Sequence, residues 1–289
     1  MTTTAADVTL PELKALCDFA AHEALVRDTL GATLAEPVAR VRFLARYTNW
    51  NGYFGSGVAG FAGKIGRCRS IFLDPAEPVQ ALADRSVYVA SFFFDAARDE
   101  FDDRDTVHRD THRCLAQAAL KGFIQAGAAE AAALQDPAQL NALCATPDWL
   151  NAVCANVAAG YGVGSPDTAQ AVFHSIGYHL GSELLADREF SIIDETLREK
   201  AGELVQQLKA TRIAIAGQEH VAYQWIAIHS GHGGGAEADH FDWASQGARL
   251  AYRFTPPEQH AGLKESLHAG FQAFAADHRK FFTQVNIAA

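Results

Sequence analysis

The stretch that decides the fold reads Val172-Phe-His-Ser-Ile176-Gly-Tyr-His179-Leu-Gly-Ser-Glu183. Its numbered residues advance by four, three and four positions, which is the spacing of one face of an α-helix. Because this face begins with apolar residues, it is expected to lie in the core. A lone carboxylate is costly to bury there, so Glu183 is predicted to be protonated, paired or bound to a metal.

Outside this stretch, prolines mark further helix starts, since most of the nine stand one or two places after a residue that can cap a helix. The candidate starts are Thr9-Leu-Pro11, Asp74-Pro75, Asp136-Pro137, Thr146-Pro147, Ser165-Pro166 and Thr255-Pro256. The alternation typical of strands is nearly absent. The apolar run from Ser86 to Phe94 has strand propensity but no partner run, so it is predicted to be a buried helix. We predict an all-α chain forming one domain over residues 1–289.

Composition and charge exclude several classes of protein. With 49% apolar and 20% charged residues among 289, the chain has the composition of a folded globular protein. Its 34 acids against 24 Lys and Arg give a net charge of −10, so we expect no nucleic-acid partner. The start, MTTTAADVTLPELK, lacks the basic and apolar segments of an export signal, and five cysteines without a CxxC pair indicate reduced thiols. We therefore expect a cytoplasmic protein that does not associate with a membrane.

A glycine pattern, Gly55-Ser-Gly57-Val-Ala-Gly60, matches the spacing of a dinucleotide-binding loop. That loop works only where a strand turns into a helix, so that the helix N-terminus meets the pyrophosphate. The residues before Gly55 have a helical pattern, and no β-α-β pattern follows. These glycines are therefore predicted to allow close helix packing or a kink.

Acids and histidines form two more clusters besides the stretch around Glu183. The first is Asp105-Thr-Val-His108-Arg-Asp-Thr-His112. On a helix, Asp105, His108 and His112 would project from one face, which makes them candidate metal ligands. The alternative is a solvated helix start, because five further acids crowd this segment: Asp99, Glu100, Asp102, Asp103 and Asp110.

The other cluster is His229-Ser-Gly-His232-Gly-Gly-Gly-Ala-Glu237-Ala-Asp-His240. Glu237 and His240 form the Glu-x-x-His pair with which di-metal helical bundles present one oxygen and one nitrogen inward. The glycines between them and His232 destabilise a helix, so an unusual backbone is expected there. The alternative is a glycine loop followed by a new helix whose first-turn Glu237 faces the helix dipole.

Together the three clusters offer carboxylate oxygens and imidazole nitrogens, with no thiolate at ligand spacing. This donor set favours iron or manganese over structural zinc. Carboxylates and imidazoles around an open coordination position suit dioxygen activation better than hydrolysis.

On these motifs the chain resembles the heme-oxygenase-like di-iron oxidases and oxygenases, over roughly Glu100 to Ala251. The resemblance implies a heme-oxygenase-like helical bundle with its metal-site helices within about 98–253. It implies two iron ions, with manganese as the alternative, and the use of dioxygen on a small amine, amino-acid or fatty-acid-like substrate. The implied metal ligands are Asp105, His108, His112, Glu183, His232, Glu237 and His240.

One position departs from the family pattern. Gly233 stands where the first histidine of the last motif is expected, with His232 one residue earlier and His229 a further turn back. We predict that the glycines bulge the helix and bring His232 into the site. Replacing His232 is then expected to weaken metal loading, while replacing His229 matters little.

Three alternatives stay open at the level of sequence. One is a heme-binding relative with His22 as the axial ligand, and another is a ferritin-like bundle in which Asp105-x-x-His108 and Glu237-x-x-His240 are symmetric halves. The third is a non-catalytic helical binding protein whose inward acids pair with histidines. A homodimer, the commonest assembly of soluble oligomers, is also left open.

Overall fold

The computed structural model describes residues 8–103, 106, 110–230 and 236–287, except for the side chains of 187 and 236–239. The described residues are almost wholly helical, which confirms the predicted all-α class. The helices are α1 Leu10–Lys14, α2 Phe19–Gly31, α3 Pro37–Asn51, α4 Phe54–Arg67, α5 Gln80–Ala83, α6 Ser86–Phe101, α7 His112–Ala128, α8 Pro137–Leu143, α9 Asp148–Gly160, α10 Ala169–Lys200, α11 Gly202–Ala210, α12 Gln224–His229, α13 Ala236–Arg253 and α14 His260–Gln284. The assignment of the chain to one domain stays a prediction.

Helix α10 is the central element, packing against α14, α13 and α2. Its 32 residues carry the stretch around Glu183. Helix α14 comes close enough for the two backbones to touch at Gly177 and Gly270. A Cβ atom at either glycine would clash with a carbonyl oxygen of the facing helix, that of Leu267 or of His174. This contact fixes α14 on one side of α10, while α13 and α6 lie on another.

Helix α6 confirms the helical interpretation of the apolar run from Ser86 to Phe94. It packs between α4 and α13, and its last turn approaches α7. On α4, the ring of Tyr161 fills the space that a side chain at Gly57 would need. Close packing therefore explains Gly57, whereas Gly60 faces open space.

Some of the helix starts predicted from prolines are confirmed and others are wrong. Thr9 and Asp136 cap α1 and α8 through their side chains, as predicted. Asp74-Pro75 does not begin a helix, because the Asp74 carboxylate accepts the N–H of Ala76 in a turn and α5 begins only at Gln80. Ser165 does not cap α10 either: its hydroxyl contacts the buried Lys64 ammonium, and Thr168 provides the cap.

A two-stranded hairpin is the element that the sequence did not predict. Strands β1 (Arg212–Ile215) and β2 (Gln218–Val221) pair antiparallel. The turn between them places Ala216 at φ 53° and Gly217 at φ 84°, which is the left-handed geometry of tight hairpin turns. The strands are too short for the alternation to stand out. In the described residues no helix is long and apolar enough to cross a membrane, and all five cysteines are free thiols.

Candidate metal centre

Glu183 lies in the core, on the apolar face of α10, with 8% of its surface exposed. One carboxylate oxygen, Oε1, lies 3.1 Å from Nδ1 of His179, one turn earlier on the same helix. Its other oxygen, Oε2, lies 3.5 Å from Nδ1 of His240, which α13 supplies. The carboxylate is therefore paired with imidazoles from two helices, one on each side.

His240 extends this row of contacts to a third helix. Its second ring nitrogen, Nε2, lies 3.1 Å from Oδ2 of Asp99, near the end of α6. Asp99 and His240 are both buried. Side chains of α10, α13 and α6 thus form one continuous row: His179, Glu183, His240 and Asp99.

His112 is the centre of a second row. It is the first residue of α7, and its Nε2 lies 2.8 Å from Oδ2 of Asp103 while its Nδ1 lies 3.1 Å from Oε1 of Glu100. His229, at the end of α12, brings its Nε2 to 3.1 Å from the same Nδ1. The other nitrogen of His229 is held by the Trp225 carbonyl oxygen at 2.6 Å.

The two rows meet at the end of α6. One potential ligand atom from each of Asp99, Asp103 and His112 lies within 4.8 Å of the other two, and all three residues are buried. The rings of His112 and His240 stack with centroids 6.4 Å apart. We call these eight residues the acid–histidine cluster: Asp99, Glu100, Asp103, His112, His179, Glu183, His229 and His240.

Charge within the cluster is shared between acids and imidazoles. Burial disfavours charged His112, but the charge of Glu100 and the hydrogen bond to Asp103 outweigh burial and raise the pKa of His112 to about 10. Burial also opposes ionisation of Glu100 and Glu183, yet the neighbouring imidazoles bring the pKa of each carboxyl below its ordinary value. For His229, burial and the charge of His112 lower the pKa to about 3. In the metal-free cluster the pKa shifts therefore favour ionised Glu100 and Glu183 and a protonated His112.

Comparisons with protein-family models, with curated proteins and with solved structures all gave no significant match. What the site does must therefore be argued from its own residues.

Three of the residues predicted as ligands are brought together: His112, Glu183 and His240 all belong to the cluster. Glu237 lies on α13 three residues before His240, as the motif requires, but its side chain is not described. Asp105, His108 and His232 lie outside the described residues. The predicted glycine bulge also falls outside them.

The helix predicted through Asp105, His108 and His112 is wrong. Thr111 has an extended backbone, with φ −74° and ψ 141°, and its hydroxyl accepts the N–H of Cys114. Thr111 thereby caps α7, so the helix begins at His112. A capping residue inside the supposed helix was the signal against it.

Acids at the end of α6 are the site residues that the sequence interpretation missed. Asp99 and Asp103 belong to a segment that could equally be a solvated helix start, yet they are 6% and 1% exposed. The available signal was periodicity, because the buried face containing Phe93 and Ala96 continues at helical spacing to Asp99 and Asp103. When the apolar face of a helix continues into acidic residues at the same spacing, those acids are expected to be buried.

His229 was also undervalued, since it was expected to matter less than His232. It is 2% exposed and contacts His112 directly, so it belongs to the cluster. His22, the candidate axial ligand of a heme-binding relative, instead contacts His278, with 3.1 Å between their Nδ1 atoms.

A cavity of about 260 Å³ opens beside the cluster. Glu100, His112, Glu183 and His229 form its polar side. Six aromatic residues also line the cavity: Trp50, Phe54, Phe101, Phe190, Trp225 and Phe274. The cluster thus faces a partly open space large enough for a small molecule.

Proposed function

We propose that the acid–histidine cluster binds two iron or manganese ions and that the chain uses dioxygen to oxidise a small molecule held in the adjoining cavity. The observation that carries this proposal is the convergence of Asp99, Asp103 and His112 on one buried point. Oxygen and nitrogen donors without thiolate match the preference of iron and manganese. The motif-level resemblance to heme-oxygenase-like di-iron enzymes supports the same metal chemistry.

The charge of the cluster supports a cation in it. Within the described residues, Glu100 pairs with His112, and Glu183 contacts His179, His240 and the hydroxyl of Ser182. Buried carboxylates need a compensating positive charge. In the metal-free chain a proton on His112 contributes that charge, and a metal ion would replace the proton.

The cavity defines the substrate only by size and polarity. Its volume is at the small end for ligand pockets, which are about 300–1,000 Å³. Aromatic rings are part of the lining, so an apolar portion of the substrate would pack against them while its reacting atom faces Glu183 and His112. A reduced iron centre at the cluster would supply electrons to dioxygen. The chain's own part is to bind the substrate, orient it and exclude water.

Metal analysis tests the first half of the proposal. The full chain is loaded anaerobically with Fe(II), desalted and analysed for iron, and about two ions per chain are expected. Glu183→Gln should remove at least one of them. Glu189→Gln, which changes another buried acid of α10 outside the cluster, should leave the iron content unchanged. Wild-type iron near zero would refute the proposal.

Oxygen consumption tests the second half. Iron-loaded protein with an added reductant should take up dioxygen in an electrode chamber, and the zinc-loaded protein should not, because zinc has no redox chemistry. Full iron loading with no oxygen uptake, with or without small aromatic and aliphatic amines or carboxylates, would reduce the proposal to metal binding.

A further inference from the structure

A second set of buried polar residues lies further along α10. Oε2 of Glu189 is 2.8 Å from Nε2 of His278 on α14, a close contact in which the two groups are not aligned as a hydrogen bond, and the Tyr47 hydroxyl donates to Oε1 of the same carboxylate. Nδ1 of His278 is 3.1 Å from Nδ1 of His22 on α2. We call His22, His278, Glu189 and Tyr47 the buried chain.

The buried chain differs from a metal site in its geometry. His278 uses one ring nitrogen toward Glu189 and the other toward His22, on opposite edges of the ring. Ligand atoms of the three residues therefore do not converge on one point. Contacts that follow one another in a line suit the passage of a proton, because a neutral imidazole accepts at one nitrogen and donates at the other.

Both ends of the buried chain lie where such a path needs them. Glu189 lines the 260 Å³ cavity, with 3% of its surface exposed. His22, at the other end, is 6% exposed, and its Nε2 has no protein partner in the described part of the chain. His278 between them is 1% exposed. One end thus meets the cavity, and the other keeps a small part of its surface exposed.

We propose that His22, His278 and Glu189 conduct protons between solvent and the cavity, with Tyr47 fixing the orientation of the Glu189 carboxylate. The role of this path in oxidation rests on the proposed function, because reduction of dioxygen consumes protons. Burial and the charge of His278 lower the pKa of His22 to about 4, so His22 is neutral at pH 7 and free to accept a proton.

The transfer conserves atoms and charge. His22 takes a proton from water at Nε2 and releases the proton on Nδ1 to Nδ1 of His278. A small turn of the His278 ring would align its Nε2 with the Glu189 carboxylate, which then accepts the Nε2 proton and can release it into the cavity. One proton passes from solvent to the cavity. Each imidazole is left in its other tautomer and must return to the first before the next transfer.

The first test needs neither metal nor activity. In metal-free protein labelled with ¹⁵N-histidine, the shared proton should give a nitrogen–nitrogen coupling between His22 and His278 across the hydrogen bond. Glu189→Met should change the tautomer of His278, since it removes the acceptor that faces its Nε2. Absence of the coupling, or an unchanged tautomer, would overturn the path whatever the protein catalyses.

The second test uses iron-loaded protein. His22→Ala is expected to slow oxygen consumption at least tenfold, with recovery in added imidazole, which fits the space that the side chain leaves. Glu189→Gln should slow it similarly without recovery, while both variants keep their iron. His174→Ala, a half-buried histidine of α10 outside the buried chain, should match wild type.

These outcomes separate the path from a structural role and from the proposed function. A loss in His22→Ala that imidazole does not reverse, and that follows a lowered melting temperature, would overturn the path. If wild type binds no iron or takes up no dioxygen, the proposed function fails, while the histidine coupling still decides whether the proton path exists.

Discussion

Two buried carboxylates on α10 show how differently one helix can use the same chemical group. Glu183 belongs to a cluster whose oxygens and nitrogens converge, with Asp99, Asp103 and His112 sharing one point. Glu189, six residues later, belongs to a row in which each group meets only the next. Six residues of helix separate them by about 9 Å along the axis. Convergence favours a cation, whereas serial contact favours proton transfer.

Charge follows the same division. The cluster contains four carboxylates, and its surplus of acid holds a proton on His112, whose pKa rises to about 10. The buried chain has one carboxylate and two imidazoles, and the pKa of His22 falls to about 4. Metal binding at the cluster should therefore release protons, while His22 stays neutral until the pH is well below 6.

The largest expected effect is at Glu183. In Glu183→Ala the rise in melting temperature that iron causes in wild type should disappear, because a ligand is lost. At free iron one hundred times Kd, that rise corresponds to about 2.7 kcal/mol. Scanning calorimetry of metal-free and iron-loaded forms measures it.

The metal-free Glu183→Ala protein should also be less stable than wild type, by about 3 kcal/mol or more, because His179 and His240 lose the carboxylate that they contact. The iron-induced shift is therefore the quantity that separates a metal ligand from a purely structural pairing. If iron raises the melting temperature of the variant and of wild type equally, Glu183 is not a metal ligand. Glu183 and Glu189 would then no longer differ in the way proposed above.

A smaller effect is expected at His229, which contacts the candidate ligand His112 and is held by Trp225. Residues that orient a metal ligand typically change metal affinity by about 10–100-fold when removed. His229→Ala should therefore weaken iron binding by about that factor, measured by competition with a chelator of known affinity. His174→Ala is the matched control. If His229→Ala binds iron as tightly as wild type, His229 has no role in metal binding and His232 remains the candidate.

The smallest effect concerns pH and the buried chain. His22 has a folded-state pKa of about 4 against an ordinary value of 6.5, so below pH 6.5 the unfolded chain takes up a proton that the folded chain excludes. Stability should therefore fall as the pH drops from 6.5 toward 4. The three charges acting on His22 are those of His278, Arg279 and Asp18.

His22→Gln removes this contribution, so between pH 7 and pH 5 it should lose about 1–2 kcal/mol less stability than wild type. Urea melts at the two pH values measure the difference. His260→Gln, a partly exposed histidine elsewhere, controls for general charge effects. Equal losses in His22→Gln and wild type would mean that His22 titrates normally and is open to water.

Local periodicity predicted much of the fold and part of the site. The spacing around Glu183 fixed both a helix and its buried face, and the Glu237-x-x-His240 motif lies on one helix as expected. Failures came where a side chain competed with the helix, as Thr111 does by capping α7. Contacts between residues far apart in the sequence could not be predicted. Nothing in the sequence indicates, for example, that His22 contacts His278, 256 positions away.

The glycine contact between α10 and α14 has a mechanical consequence for catalysis. With Gly177 and Gly270 pressed against facing carbonyls, the two helices cannot slide or separate without breaking that fit. They act as a rigid frame that keeps Glu183, Glu189 and His278 at constant spacing. A substrate entering the cavity must then be accommodated by other parts of its lining, such as the end of α3, the start of α4 and Gly52 between them.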